Sequence, residues 1–309
     1  MTSPALHAGS NVTPGAGAET GLVVAAFRRH YTVALDSGGT LDCVQKGRRL
    51  QLACGDRVRV HRVAGGGAID AIEPRTSLFY RSDAFKEKLI AANVTQVIGV
   101  LAPDIAIDEH LLNRWIIGAE AERCRFVLVA NKSDLPGFAA LQTRVAPYAA
   151  LGYAVVALSA RLDVGPLLPW LANQRSVLIG QSGMGKSTLL NAVAPDAAAR
   201  TETVSASLRA GRHTTSSTRL YRLPDGGWLV DSPGMSVFGL AHYPRDVIEQ
   251  AFVELRGLAD RCRFRDCRHD REPDCAVRAA AATGAVARQR VELLRTLVAE
   301  SAAARDPAR

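Results

Sequence analysis

Residues 176–191 read SVLIGQSGMGKSTLLN: an apolar run, Gly180, four residues, then Gly185, Lys186 and Ser187 leading into a helix-forming stretch. In such a strand-to-helix turn the backbone N–H groups converge on phosphate oxygens, helped by the positive end of the following helix. Gly180, Gly183 and Gly185 permit the turn, and Gln181, Ser182, Met184 and Thr188 complete the cradle. Lys186 adds a compact cation for the outer phosphates, and the Ser187 hydroxyl is placed to bind Mg2+. A glycine-rich turn with no ligand would leave Lys186 unexplained. Upstream, residues 126–135 (FVLVANKSDL) run a second apolar strand into Asn131, Lys132, Ser133 and Asp134. An ionised carboxylate at Asp134 accepts from both the ring N–H and the exocyclic amine of guanine, a donor pair that adenine lacks. Asn131 and Lys132 would brace that loop and cover the base. The base reader therefore precedes the phosphate cradle, and one ligand can touch both only if their strands end on the same edge of a sheet.

A site of this kind depends on spatial adjacency, so chain order is free to change, and circular permutation is physically permitted. The other pieces are present. Asp231, in DSPG (231–234) after the apolar GWLV, sits where a strand-end carboxylate can order a Mg2+ water, and Gly234 can lend its N–H to the outermost phosphate. Ser159 and Ala160, closing YAVVALSA, supply a second base-side loop. Between cradle and Asp231 lies LRAGRHTTSSTRL (208–220), whose hydroxyls and small residues suit a switch loop. Thr214 or Thr215 can reach Mg2+ there, Thr215 pairing with Ser187, and His213 can position water or answer a partner. Lys186 and His213 are the candidate catalytic residues. Met235 follows Gly234, so the water-orienting glutamine of Ras-like enzymes is missing from its usual place and slow intrinsic turnover is expected.

Apolar strands interleaved with helical stretches over 83–243 read as a mostly parallel sheet covered by helices. Before it, residues 21–82 carry five short alternating runs separated by turns such as Ser37-Gly38-Gly39, which predicts a small antiparallel barrel. Arg28, Arg29, His30, Lys46, Arg48, Arg49, Arg57 and Arg59 fall on its turns and alternating positions, suited equally to a solvated face and to RNA. Residues 1–20 are small and polar and are expected to be unstructured. Residues 244–309 turn helical, with a cysteine cluster: Cys262, Cys267, His269 and Cys275 lie within a 14-residue span. Three thiolates and an imidazole suit one closed, tetrahedral, structural zinc with no open position for chemistry. Arg261, Arg263, Arg265, Arg268 and Arg271 around them offer a cationic surface to a phosphate backbone. Cys43, Cys54 and Cys124 stand among apolar neighbours and read as small buried side chains. The net charge of +8 favours an anionic partner, nucleic acid above all. No apolar run is long enough to span a membrane and no signal sequence opens the chain, so a cytoplasmic protein is expected, and no oligomer interface is evident beyond a monomer.

With these parts in this order the chain resembles the ribosome small-subunit-dependent GTPase A family (RsgA, also called YjeQ) over about residues 20–300. The resemblance is carried by NKSDL, GQSGMGKSTLLN, GRHTT, DSPG and Cys-x4-Cys-x-His-x5-Cys, with IEPRTSLFYR and IAANVTQV similar to the family's junction between barrel and GTPase. It implies a multidomain α/β protein: an OB-type barrel, a circularly permuted P-loop GTPase domain and a C-terminal zinc-binding helical domain. It further implies hydrolysis of GTP to GDP and phosphate, stimulated by the small ribosomal subunit and its rRNA during late maturation of that subunit, and it carries His213 over as the proposed catalytic histidine. Thr95 stands where the family usually has Asp, and VQKGRR (44–49) replaces a more regular barrel motif. Two other readings are distinguishable by experiment. An RNA-binding module with a regulatory nucleotide site would bind GTP without hydrolysing it, and an ATP-dependent enzyme is disfavoured by Asp134.

Overall fold

The computed structural model describes residues 18–27, 29–46, 50–83, 86–194, 218–231 and 239–305. His213, Thr214, Thr215 and Gly234 lie outside the described residues, as do Arg28, Arg48, Arg49 and residues 1–17.

Five strands, β1 (Ala18–Phe27), β2 (His30–Leu35), β3 (Thr40–Gln45), β4 (Arg57–Val63) and β5 (Gly66–Ile72), form a ring in the order β1-β2-β3-β5-β4, closed by a β1–β4 pairing. Alternation places Val23, Val33, Cys43, Val58, Val60 and Ile69 inside. Two expectations change. Strand β1 begins at Ala18, within the stretch 1–20 expected to be unstructured, because Ala18 to Leu22 pair with β4. The barrel is also not wholly antiparallel: β3 runs parallel to β5. A closed ring with an odd number of strands cannot alternate direction all the way round, so one parallel pair is unavoidable. The barrel's cationic residues are partly neutralised, since Arg57 Nη2 lies 2.5 Å from Asp36 and Arg59 Nε 3.0 Å from Asp70.

A hairpin, β6 (Leu78–Asp83) and β7 (Lys86–Ala92), spans the 82/83 division of the sequence reading. The following sheet holds β8 (Gln96–Leu101), β9 (Arg125–Ala130), β10 (Ala154–Ala157), β11 (Arg175–Ile179), β12 (Thr218–Arg222) and β13 (Trp228–Asp231) in the order β10-β9-β8-β11-β13-β12. All pairings are parallel except β12–β13. Helices α1 (Glu109–Ala121), α2 (Phe138–Ala150), α3 (Leu168–Leu171) and α4 (Lys186–Val193) connect them. Strand β12 also pairs with β1, so barrel and parallel sheet form one eleven-stranded sheet.

Helix α1 starts where Asp108 caps the Leu111 N–H at 3.0 Å. It buries two faces. Leu112, Trp115, Ile116 and Ala119 enter the core of the parallel sheet, while Ile117 joins the core of the C-terminal region with Ile248, Phe252, Val277, Leu294 and Leu297. That region comprises α5 (Arg245–Ala251), α6 (Ala276–Ala282) and α7 (Arg288–Arg305). In α7 the buried positions Val291, Leu294, Leu297 and Ser301 recur at helical spacing. Cys43, Cys54 and Cys124 are buried as expected, and burial pushes their thiols up to about 11, 12 and 12. No helix among the described residues is long and apolar enough to cross a membrane.

Candidate nucleotide and metal sites

Because the five parallel strands point the same way, their C-terminal ends share one edge. Strand β9 delivers Asn131 to Asp134, β10 Ser159 and Ala160, β11 the loop Gly180 to Ser187, and β13 Asp231. Asn131 joins three of these segments. Its Nδ2 donates to Met184 O at 2.9 Å, and its Oδ1 accepts from Ala160 N at 2.9 Å. With its own loop, this buried side chain ties the base-side segments to the phosphate-type turn. A cavity of about 220 Å³ lies there, lined by Asn131, Lys132, Asp134, Ser159, Ala160, Gly183, Gly185 and Thr188, together with Asp104, Leu135 and Arg161.

Gly185 meets two demands at once. Its φ is +93°, and a Cβ there would stand 2.4 Å from Asn131 Nδ2, so any side chain would break the tie. Among the described residues six non-glycine residues take positive φ, and two of them, Lys132 and His269, fall in the two candidate sites. Such strain persists where the surroundings over-determine it. A hydrogen bond from Ser159 holds the Asp134 carboxyl below its ordinary value, so Asp134 is an ionised acceptor at neutral pH. Lys186 Nζ donates to Gly180 O at 2.7 Å and Gln181 O at 2.8 Å. Burial lowers Lys186 and raises Asp231, while the two charges attract and partly reverse both shifts. Half-buried groups of this kind gain from a polyanion and a dication that complete their charge balance. Ser187 lies in the first turn of α4, and Gln181 and Ser182 complete the turn before it. Ser133 N donates to Leu158 O at 3.1 Å, fixing one base-side loop to the next.

In the C-terminal region, one ligand atom from each of Cys262, Cys267, His269 and Cys275 lies within 4.8 Å of the others. Zinc bonded tetrahedrally to thiolate and imidazole sets S···S near about 3.8 Å and S···N near about 3.6 Å. Cys262 Sγ is 3.8 Å from Cys275 Sγ, and His269 Nδ1 is 3.7 Å and 3.4 Å from the same two sulfurs. The donor set fits the ion. His269 Nε2, buried, lies 3.5 Å from Glu249 Oε1, the relation by which a carboxylate orients a metal-binding imidazole. Burial works to raise Glu249, but His269 and Arg245 hold it below its ordinary value, with Arg245 Nε 2.6 Å away. Arg245 also donates to the Cys267 carbonyl. Glu272 closes the loop by accepting from the amides of Arg268, Asp270 and Arg271 at 2.8, 2.9 and 3.1 Å, and those amides hold it at about 2. Arg261, Arg263, Arg265, Arg268 and Arg271 are all exposed around this loop, beside a partly exposed Phe264. Sequence reasoning missed Asp104, Arg161, Glu249 and Glu272. Glu272, inside the cysteine cluster, and Arg161, next to Ala160, carried a local signal; Asp104 and Glu249 come from segments remote from the motifs they serve.

Comparison with known proteins agrees with this geometry. The RsgA GTPase family profile matches residues 72–241. A protein of Nitrosospira multiformis named small ribosomal subunit biogenesis GTPase RsgA is 44% identical over 281 residues, 90% of each chain. Its namesake in Burkholderia pseudomallei is 46% identical over 288 residues, 91% of this chain and 92% of the relative. Among solved structures, YjeQ from Thermotoga maritima superposes with a TM-score of 0.70 at 27% identity, covering 92% of this chain and 99% of that one. YloQ, described as a circularly permuted GTPase, gives a TM-score of 0.70 at 23% identity over 95% and 98%, a likeness of fold. The permuted strand order, the closed amino-terminal barrel and these relatives agree, and the chain belongs to the RsgA GTPase family.

Proposed function

We propose that the chain is a GTPase of small ribosomal subunit biogenesis: it binds GTP at the shared strand-end edge and hydrolyses it on the maturing subunit. The observation that carries this reading is the tie through Asn131, which gathers three segments around one cavity. Asp134 accepts from the two guanine donors, and a hydrogen bond from Ser159 lowers its carboxyl further. Lys132, with Ser133 and Ala160, frames the base. The amides from Gly180 to Thr188, including those of Gln181, Ser182, Gly183, Met184 and Gly185, cradle the phosphates. Lys186, held on two loop carbonyls, is the cation for the outer phosphates. Ser187 and Asp231, with Thr215 or Thr214, would hold Mg2+, which supplies charge neutralisation on the β- and γ-phosphates. In the reaction a water oxygen bonds to the γ-phosphorus as the bridging oxygen leaves with GDP, and the water proton passes out with phosphate. His213 is the candidate to orient that water.

The barrel (about 21–82) and the C-terminal unit (244–309) flank the GTPase unit (83–243), and we assign both to rRNA contact. Zinc on Cys262, Cys267, His269 and Cys275 is structural, fixing the loop that displays the five arginines. The chain acts in the cytoplasm as a monomer. GTP hydrolysis with and without isolated small subunits tests the reading: turnover should rise on adding subunits. Asp134→Asn presents a donor where the guanine amine needs an acceptor, so GTP affinity should fall by roughly 100-fold or more in a competition titration. GTP bound but never hydrolysed with any subunit preparation would defeat the enzymatic reading. Equal competition by ATP would defeat the base assignment.

A further inference from the structure

The segment between β8 and α1, residues 102–108, carries none of the motif residues, yet it forms a wall of the nucleotide cavity. Asp104 lines that cavity, and its Oδ2 accepts from Lys132 Nζ at 2.6 Å. The next residue, Ile105, reaches the phosphate-type turn: a methyl placed on Gly183 would stand 3.1 Å from Ile105 Cδ1. The segment is anchored at both ends. Pro103 lies against Gly137, the Ile107 carbonyl accepts from Arg144 Nη2 at 3.1 Å, and Asp108 caps α1. Asp104 is thus a fixed carboxylate on a braced segment, aimed at the one flexible cation of the base-reading tetrad.

A lysine stem has four rotatable carbons and a strongly hydrated head, so left alone it samples many rotamers and must be ordered when a ligand arrives. An ammonium already paired with a carboxylate has much of that ordering done. Its head is directed to the counter-charge, and its aliphatic stem is left to cover an apolar face. The backbone adds to this, because Lys132 is held at φ +60°.

We propose that Asp104 is a positioning residue for guanine nucleotides: it holds the Lys132 ammonium so that the Lys132 stem lies ready against the base. The inference rests on the nucleotide reading above and deepens it. A purely electrostatic role has the opposite sign, since deleting a carboxylate beside a polyanion would tighten binding.

The test is calorimetric titration of the full chain with GDP, for the parent, Asp104→Ala, Asp104→Asn, Asp104→Glu, Lys132→Ala and the Asp104→Ala/Lys132→Ala pair. Asp104→Ala and the near-isosteric Asp104→Asn should each weaken GDP about two- to fivefold, the range of an exposed ion pair. Asp104→Glu should recover most of the loss. Adding Asp104→Ala to Lys132→Ala should cause no further loss, because the carboxylate acts through the lysine. In steady-state turnover the effect should fall on KM, with kcat at saturating GTP within about twofold of the parent. Unchanged or tighter GDP binding by Asp104→Asn, or losses that add in the pair, overturns the inference alone. A parent that binds no GDP overturns the nucleotide reading, and the inference with it.

Discussion

At the scale of single residues, the candidate site depends on a carboxamide. Asn131 donates to Met184 O and accepts from Ala160 N, so one planar group uses both of its chemical faces to join segments that are remote in sequence. Both bonds are buried, and each is worth about 1 kcal/mol net, with a further 1–3 kcal/mol when a buried partner is left unpaired. Asn131→Ala should therefore lower unfolding stability by about 2–4 kcal/mol and weaken GDP binding, read by denaturant titration and calorimetry. Asn131→Asp keeps the acceptor for Ala160 but sets a carboxylate against the Met184 carbonyl, so it should be at least as damaging. A variant that melts and binds GDP like the parent would show that the tie has no energetic role. Asp134, Lys186 and the glycines were legible in the sequence because their chemistry demands fixed residue types at fixed spacing. Asp104 was not: an acidic residue in a β–α connection has many ordinary reasons to be there, and only the 2.6 Å contact with Lys132 distinguishes this one.

At the scale of elements, the cysteine loop and the helices beneath it form one unit. Cys262, Cys267 and Cys275 with His269 were readable as a ligand set from spacing alone. Glu249 on α5, 3.5 Å from His269 Nε2, was not, because its position relative to the loop follows from how α5 packs against α7 and α1. Purified chain should contain one zinc per molecule by elemental analysis. Glu249→Gln should weaken zinc binding about 10- to 100-fold in competition with a chromogenic chelator while leaving the protein folded when zinc is in excess. Cys275→Ser, which removes a ligand outright, should lose the metal and melt the 262–275 loop, visible as new protease cleavage there. If Glu249→Gln holds zinc as tightly as the parent, the carboxylate does not orient the imidazole. The stretch that forms helix α1 was legible as helical, but its second buried face at Ile117 reads as one more apolar position until the C-terminal core is seen around it.

At the scale of the whole molecule, three units meet where the chain leaves the parallel sheet. Ser301 Oγ on α7 donates to Leu240 O at 3.0 Å, Tyr243 Oη donates to Glu122 Oε1 at 3.1 Å at the end of α1, and Glu122 Oε2 accepts from Leu78 N of the β6–β7 hairpin at 2.9 Å. His242 sits between the rings of Tyr80 and Tyr243, at 5.0 and 3.9 Å, with neither ring nitrogen hydrogen-bonded among the described residues, and burial depresses it to about 4. The unfolded chain takes up this proton near 6.5 and the folded chain only near 4. His242 therefore contributes stability above about pH 6.5 that is lost as pH falls toward 4, on the order of 3 kcal/mol at most. Burial raises the neighbouring Glu122 carboxyl, which acts oppositely, favouring the fold at lower pH, so the two partly offset. His242→Phe should flatten the fall in melting temperature between pH 6.5 and 4.5, measured against the parent, and identical pH profiles would refute the assignment. The sequence by itself determined which groups could read guanine, cradle phosphate and hold zinc, and it determined that they occur in permuted order, because those chemistries require particular side chains at short fixed separations. Only the tertiary structure decided that the barrel and the parallel sheet share β1–β12 hydrogen bonds, that Asn131 ties the site and that Asp104 faces Lys132. Such contacts join residues far apart in the chain, and packing of the whole core, which no local pattern encodes, selects among the many partners each could have had.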